Sequence, residues 1–249
     1  MPLHFPLRLV GSRMVAPSVR HLDFVRDDGQ PLDFIPGQFI QVHFSYPDGT
    51  PTKRSYSLAT MHDHALGPGE SVQIAVSYVA GGAATAIFTA LDEGQQIEAS
   101  GPFGRFCLGA NDANQRYLLV GTGTGVTPYR AMLPQLAQVM AQRGVEVVLF
   151  FGARTPAELI YGEDFYAFAA AHPNFRFVPC FSRELPADAH PDVRRGYVQE
   201  ALAEFAPGAE GDIAYLCGNP NMVDAAFEAL KGYGLPVPHI RREKYVSSK

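Results

Sequence analysis

The chain has 249 residues, room for one large domain or two modest ones at ~150 residues each. Apolar residues make up 47% and charged residues 18%, which excludes a disordered chain. A formal net charge of −5 excludes the broad basic field of a dedicated nucleic-acid binder.

The first half reads as short β-strands broken by turns. Arg20–Phe24, Gln38–Phe44, Arg54–Ala59, Ser71–Val79 and Gln96–Ser100 are rich in β-branched or aromatic residues, often alternating with polar ones. The breaks are turn material: Asp27-Asp28-Gly29, Pro36-Gly37, Pro47-Asp48-Gly49 and Gly67-Pro68-Gly69. Many short strands with such turns predict a small barrel or sandwich. One short helix is expected at Ala84–Leu91, after Gly81-Gly82.

The second half switches to a β-α-β rhythm. Tyr117–Val120 is a strand of buried type, and Pro128–Arg143 a helix with proline near its first position. Val145–Phe151 is almost wholly apolar, as a central parallel strand is. Then come a helix at Phe165–Ala171, a strand at Phe175–Phe181 and a helix at Val198–Phe205. A strand at Ile213–Cys217, a helix at Met222–Lys231 and an extended segment at His239–Val246 complete the chain. Strands separated by helices imply a parallel sheet. The polar stretch Ala110–Gln115 is the expected boundary, giving units of residues 1–110 and 111–249.

The cysteines, Cys107, Cys180 and Cys217, are odd in number and widely spaced. Neither a disulfide framework nor a zinc site is indicated, and a reduced, cytoplasmic setting fits. The first residues, MPLHFPLRLVGSRMV, place prolines and charges where a secretory signal needs an apolar run. No apolar run approaches the ~20 residues of a membrane span.

Four features look like sites. Gly121-Thr122-Gly123-Thr124-Gly125-Val126-Thr127-Pro128 follows a strand and opens a helix. Its glycines allow close backbone approach, and the helix start offers N–H groups and the positive dipole end, so it suits a pyrophosphate; an ordinary strand-to-helix turn is the plain alternative. Cys217-Gly218-Asn219-Pro220-Asn221-Met222 also follows a strand, which a parallel sheet puts on the same rim. There Asn219 or Pro220 serves equally well as a helix start, and Cys217 as a small buried hydrophobe. Arg54-Ser55-Tyr56-Ser57 puts Arg54 and Tyr56 on one strand face, a cation and a stacking ring. Gly81-Gly82-Ala83-Ala84-Thr85 leads into a helix and is a second candidate phosphate cradle.

Taken in order, these motifs resemble the ferredoxin–NADP reductase family. Arg54-Ser55-Tyr56-Ser57 is similar to its flavin-binding R-x-Y-S strand, and Gly82-Ala83-Ala84-Thr85 to the helix start that holds the flavin pyrophosphate. Gly101-Pro102-Phe103-Gly104 is similar to the G-P-x-G turn near the barrel's end. Gly121–Pro128 resembles the dinucleotide turn, and Cys217-Gly218 the C-G pair beside the nicotinamide. Glu243-Lys244-Tyr245 is similar to the E-x-Y ending of plastid-type members, with four further residues after it.

The resemblance implies a two-domain fold, an N-terminal antiparallel β-barrel that binds FAD and a C-terminal α/β parallel-sheet domain that binds the nicotinamide coenzyme. It implies hydride transfer between nicotinamide C4 and flavin N5, and electron exchange with a transient one-electron partner, ferredoxin or flavodoxin, by a monomer. Arg54 then offsets flavin charge, Tyr56 stacks on the ring system and Ser57 bonds near N5. Gly82, Ala83, Ala84 and Thr85 hold the flavin pyrophosphate, and Thr122, Gly123, Thr124 and Gly218 contact the coenzyme. Cys217 packs beside the nicotinamide, Glu243 positions it or relays protons, and Tyr245 covers the flavin and must swing away. Ser182-Arg183 and Arg195-Gly196-Tyr197 resemble the residues that grip a 2′-phosphate, so NADP(H) is the expected coenzyme. Three other readings stand beside this one: an NAD(P)H:flavin reductase, the reductase component of an oxygenase, and a flavin-binding sensor without turnover.

Other residues carry weaker signals. His62 and His64 have no obvious third metal ligand nearby. Arg8, Arg13 and Arg20 are candidates for a basic patch facing an acidic carrier. Gly152-Ala153-Arg154 resembles a family element, with a surface ion pair of Arg154 as the equal alternative; Arg241-Arg242 serve a partner or coenzyme or are a solvated charge pair, and His239 fits an ordinary exposed or edge-strand role.

Overall fold

The computed structural model describes residues 3–46, 48–109 and 112–246. They fall into two compact units. One comprises the chain up to Leu108 together with Thr127–Pro134, the other Gly109–Val126 and Gln135–Val246. The expected break at Ala110 and Asn111 lies outside the described residues, as do Pro47 of one expected turn and the residues after Val246.

The first unit is built from β1 (His4–Ala16), β2 (Val19–Arg26), β3 (Phe39–Ser45), β4 (Pro51–Ser57), β5 (Val72–Ser77), α1 (Ala83–Ala90) and β6 (Gln96–Phe103). The six strands pair antiparallel in the order β4-β3-β6-β1-β2-β5. Leu58 then bridges Ile74, and Ala59 N donates to Gln73 O at 2.7 Å. These contacts join the sheet's two outer strands, so it closes on itself as a barrel and leaves little free edge. Alternate side chains fill the interior: Phe5, Leu7 and Leu9 of β1, Leu22 and Phe24 of β2, Ile40 and Val42 of β3, Ile74 and Val76 of β5. Phe88 of α1 is buried in the same cluster. Arg130, also in this unit, is buried and donates from Nη1 to Ala59 O and Gln73 Oε1, both at 2.7 Å.

The long first strand is absent from the sequence expectation. Pro6 interrupts a strand pattern because it has no N–H for the ladder. Between Leu9 and Gly11 the register with β2 shifts, which breaks the two-residue period.

The second unit contains β7 (Arg116–Thr122), α2 (Thr127–Arg143, whose first residues cluster with the barrel), β8 (Glu146–Ala153), α3 (Gly162–Ala171) and β9 (Phe175–Phe181). It continues with β10 (Arg194–Arg195), α4 (Val198–Ala201), β11 (Asp212–Gly218), α5 (Pro220–Gly232) and β12 (Ile240–Lys244). All six strands are parallel, in the order β10-β9-β8-β7-β11-β12. The central strands are buried on both faces, which explains their continuous apolar runs. The order changes direction beside β7, so the carboxyl ends of β7 and β11 flank the switch point where open α/β sheets receive ligands. The expected helix at Val198–Phe205 is α4 followed by a 3₁₀ turn, Leu202–Phe205. Among the described residues no helix is long and apolar enough to cross a membrane.

Candidate cofactor and coenzyme sites

In the barrel, β4 presents Arg54 and Tyr56 half-buried on one face, with Ser55 exposed and Ser57 buried. Arg54 is fixed in place. Its Nη2 donates to Tyr46 Oη at 2.9 Å, its Nη1 to Thr52 Oγ1 at 3.0 Å and Lys53 O at 2.9 Å, and it lies over the Phe44 ring at 5.8 Å. Tyr56 meets Phe88 edge-on at 5.3 Å. Burial pushes its hydroxyl pKa up despite Arg54, so it stays neutral at any physiological pH.

The start of α1 is bare. Gly82 is its N-cap and offers no side chain to the first-turn N–H groups of Ala83, Ala84 and Thr85, which are left for an outside acceptor. Gly81 has φ +74 with nothing within 4 Å of an added Cβ. The Thr85 hydroxyl already accepts from Val79 N at 2.8 Å, so it holds the loop and keeps only its proton for a ligand. A fixed cation, a neutral aromatic wall and an uncapped helix start suit a flavin dinucleotide.

In the second unit the two glycine motifs form one packed object. A 3₁₀ turn, Gly123–Val126, precedes α2, with Gly123 exposed at φ +53 and open space where a Cβ would be. Thr124 lies half-buried beside it. A Cβ on Gly125 would run into the Cys217 carbonyl and Gly218 Cα. Gly218 has φ +125, and a Cβ there would meet Thr122 O at 2.6 Å and Oγ1 at 2.7 Å. Asn219 N donates to Thr122 Oγ1 at 3.1 Å. Thr122, expected as a coenzyme contact, also joins the two turns: its hydroxyl oxygen accepts this bond and keeps its proton to donate. Asn219 caps α5 by accepting from Asn221 N and Met222 N. Thr127, at the start of α2, has a buried hydroxyl with no partner among the described residues.

β12 completes this rim. Cys217 lies opposite Glu243 in the β11–β12 ladder, and Tyr245 N donates to Gly218 O at 2.8 Å. Cys217, Glu243 and Tyr245 are therefore brought together. Burial pushes the Cys217 thiol well above its usual range, and Glu243 adds to this while a hydrogen bond with Tyr245 opposes it. Such a thiol stays protonated and is no nucleophile. Burial also lifts Glu243 to about 7.

A second cluster forms at the opposite end of the sheet order. β10 pairs with β9 so that Arg195 faces Phe181, and Gly196 N donates to Phe181 O at 3.0 Å. This puts Arg195 and Gly196 at the carboxyl end of β9, from which Ser182 and Arg183 follow in the chain. Ser182 N donates to Ala153 O, and Arg183 N to Arg154 O at 3.0 Å. Arg183, Arg195 and Tyr197 are exposed. Tyr197 N is capped by Glu200 Oε2 at 3.0 Å.

The weaker signals resolve into local contacts. Arg8 pairs with Asp27 and Arg13 with Asp23. Arg20 donates to Ser12 Oγ, Phe88 O and Leu91 O, so it fastens the end of α1. Arg20 is thus tied into the barrel, while the Arg8 and Arg13 side chains remain 40% and 55% exposed. His64 sits between Asp63 and Glu70, and His62 packs on Phe34. No group of three metal-ligating side chains occurs among the described residues. Arg154 pairs with Glu158, Arg242 covers Phe227 at 3.8 Å, and His239 Nδ1 bonds Asp212 O.

Comparison with known proteins agrees with this layout. An oxidoreductase FAD-binding domain model matches residues 6–107, and an oxidoreductase NAD-binding domain model matches residues 119–228. Ferredoxin--NADP reductase B of Sorangium cellulosum is 35% identical over 248 residues, 97% of each chain. The phenol 2-monooxygenase reductase component DmpP of Pseudomonas is 34% identical over 220 residues, covering 87% of this chain but 58% of that longer protein. The crystal structure of the Amycolatopsis cytochrome P450 reductase GcoB superposes with a TM-score of 0.83 at 31% identity, covering 98% of this chain and 70% of that one. The chain is an oxidoreductase with a FAD-binding and an NAD-binding domain, and it belongs to the ferredoxin–NADP reductase family.

Proposed function

We propose that the chain is a FAD-dependent reductase that moves electrons between NADP(H) and a one-electron carrier such as ferredoxin or flavodoxin. The observation that carries this reading is the rim where Gly123–Gly125, Cys217-Gly218, Glu243 and Tyr245 meet. It combines a backbone cradle, a neutral packed thiol and a carboxyl group poised near neutrality. FAD, when bound, supplies the exchange of a hydride with nicotinamide C4 through its N5 and the release of electrons one at a time.

The chain's own residues then take these parts. Residues 1–110 hold the flavin and residues 111–249 the coenzyme. Arg54 neutralises flavin charge from a fixed position, and Tyr56 gives its ring a wall. Ser55 and Ser57 flank them on the strand, with Ser57 aligning the reacting edge. The first-turn N–H groups of Ala83, Ala84 and Thr85 receive the pyrophosphate. Gly123 and Thr124 receive the coenzyme, and Cys217 sets its approach distance. Glu243, protonated below about pH 7, donates a hydrogen bond to the carboxamide. Tyr245 is the ring that yields its place to the nicotinamide. Ser182, Arg183, Arg195 and Tyr197 bind the 2′-phosphate and favour NADPH. The protein works as a monomer in a reducing cytoplasm, in keeping with cysteines that form no disulfide among the described residues.

A second reading, the reductase component of an oxygenase, is favoured by the likeness to DmpP. Turnover with NADPH separates the two. Purified protein loaded with FAD should reduce cytochrome c rapidly only when a ferredoxin or flavodoxin is added. Reduction that needs an oxygenase partner would support the second reading, and activity with free flavin alone would overturn both.

A further inference from the structure

Next to the Arg183 segment stands Glu158, a carboxylate that the assignments above leave unused. Glu158 ends the 3₁₀ turn Pro156–Glu158, which follows β8. Arg154 holds both of its oxygens. Oε2 accepts from Arg154 N and from Arg154 Nε, each at 3.0 Å, and Oε1 is paired with Arg154 Nη2. The Glu158 side chain is 26% exposed and the Arg154 side chain 57%. The Arg154 carbonyl in turn accepts from Arg183 N at 3.0 Å and Glu184 N at 3.2 Å. A negative charge is thereby anchored on the residue whose carbonyl holds Arg183 N. Burial raises the Glu158 pKa, but hydrogen bonds from Arg154 and the charges of Arg154 and Arg183 outweigh this and bring it below its ordinary value. It is ionised at neutral pH.

We propose that Glu158 sets the coenzyme discrimination of this enzyme: by occupying Arg154, whose carbonyl holds the Arg183 backbone, it opposes a 2′-phosphate and keeps NADH usable beside NADPH. The inference rests on the proposed placement of that phosphate at Arg183 and Arg195. A phosphate monoester brings about −1.5 to −2 charges at neutral pH, so a fixed carboxylate nearby weakens its binding. The ribose hydroxyl of NADH brings no charge and can donate to a carboxylate. Arg154 is the cation that the pair holds back.

Calorimetry with adenosine 2′,5′-bisphosphate and with 5′-AMP tests this directly, because neither probe takes part in redox chemistry. Glu158→Gln should bind the bisphosphate about fivefold tighter, the size expected for removing one screened charge, with 5′-AMP unchanged. Glu158→Ala should move the ratio the same way, and the NADPH-to-NADH ratio of kcat/KM should rise in both. A bisphosphate affinity that stays constant or falls in both variants, while Arg183→Ala weakens it, would overturn the inference and leave the site reading standing. If Arg183→Ala changes neither probe, the phosphate lies elsewhere and the inference falls with that reading.

Discussion

Two glycine-rich turns, one in each unit, look alike in sequence and differ in what their glycines are for. Before α1, Gly81 sits in the left-handed region with empty space around it. At the end of β7, Gly125 is pressed against the backbone of Cys217 and Gly218. The first turn is open, and its bare helix start is left to a ligand. The second is closed on the protein itself at Gly125, and Gly123 is exposed. Both turns use a threonine as a fastener, Thr85 accepting from Val79 N and Thr122 from Asn219 N. A glycine motif can therefore signal room for a phosphate or room for another stretch of backbone, and one motif can hold both.

The comparison can be broken in order of severity. Gly125→Ala should destabilise the protein by about 3 kcal/mol or more, because the added carbon meets main chain that cannot move aside. Urea unfolding monitors this; a loss below ~1 kcal/mol would mean the two turns are not closely packed. Glu243 gives a pH-dependent effect next in size. Its folded pKa of about 7 lies above its ordinary value of 4.5. The protonated form therefore stabilises the fold, fully so below pH 4.5, and this contribution is lost as pH rises through 7. Glu243→Gln should remove that loss, so the variant should gain about 3 kcal/mol on the parent between pH 4.5 and 8. Parallel stability curves for the two proteins would show that Glu243 titrates normally.

Thr122→Val leaves Asn219 N without its acceptor and should cost about 1–2 kcal/mol. It should also loosen coenzyme binding, since it unties the two turns, and fluorescence titration reads this separately from stability. The smallest effect belongs to Gly81→Ala, about 1 kcal/mol from the left-handed backbone alone. It should leave coenzyme affinity untouched. A loss as large as that of Gly125→Ala would erase the distinction between the open and the closed turn.

Most of the second unit was legible in the sequence because parallel strands buried on both faces leave continuous apolar runs. Phe175–Phe181 coincides with β9, and β7 and β11 extend the expected segments by a residue or two at each end. β8 starts one residue later and ends two later than expected, β12 is shorter than the expected segment, and the two-residue β10 was not expected. The first unit was less legible. β1 carries Phe5, Leu7 and Leu9 at regular spacing, yet Pro6 and the register shift after Leu9 disguise thirteen residues of strand. The glycine motifs were visible as motifs, but their division into open and packed positions depends on contacts between Gly125 and Gly218, some ninety residues apart in the chain. Arg20 was visible only as a charge; its bonds to Phe88 O and Leu91 O depend on where α1 ends. The raised pKa of Glu243 depends on burial beside Cys217, and Thr127's orphaned hydroxyl on the packing of the α2 start. Neither leaves a trace in local pattern.

The central claim is that the barrel retains FAD and that the second unit delivers hydride to it, with NADPH preferred. An anaerobic titration of the purified protein, followed in the visible region, tests it most directly. The account predicts flavin bands near one per chain that bleach with about one equivalent of NADPH and require a larger excess of NADH. Bound flavin that neither coenzyme reduces, or protein that takes up no FAD at all, would contradict it.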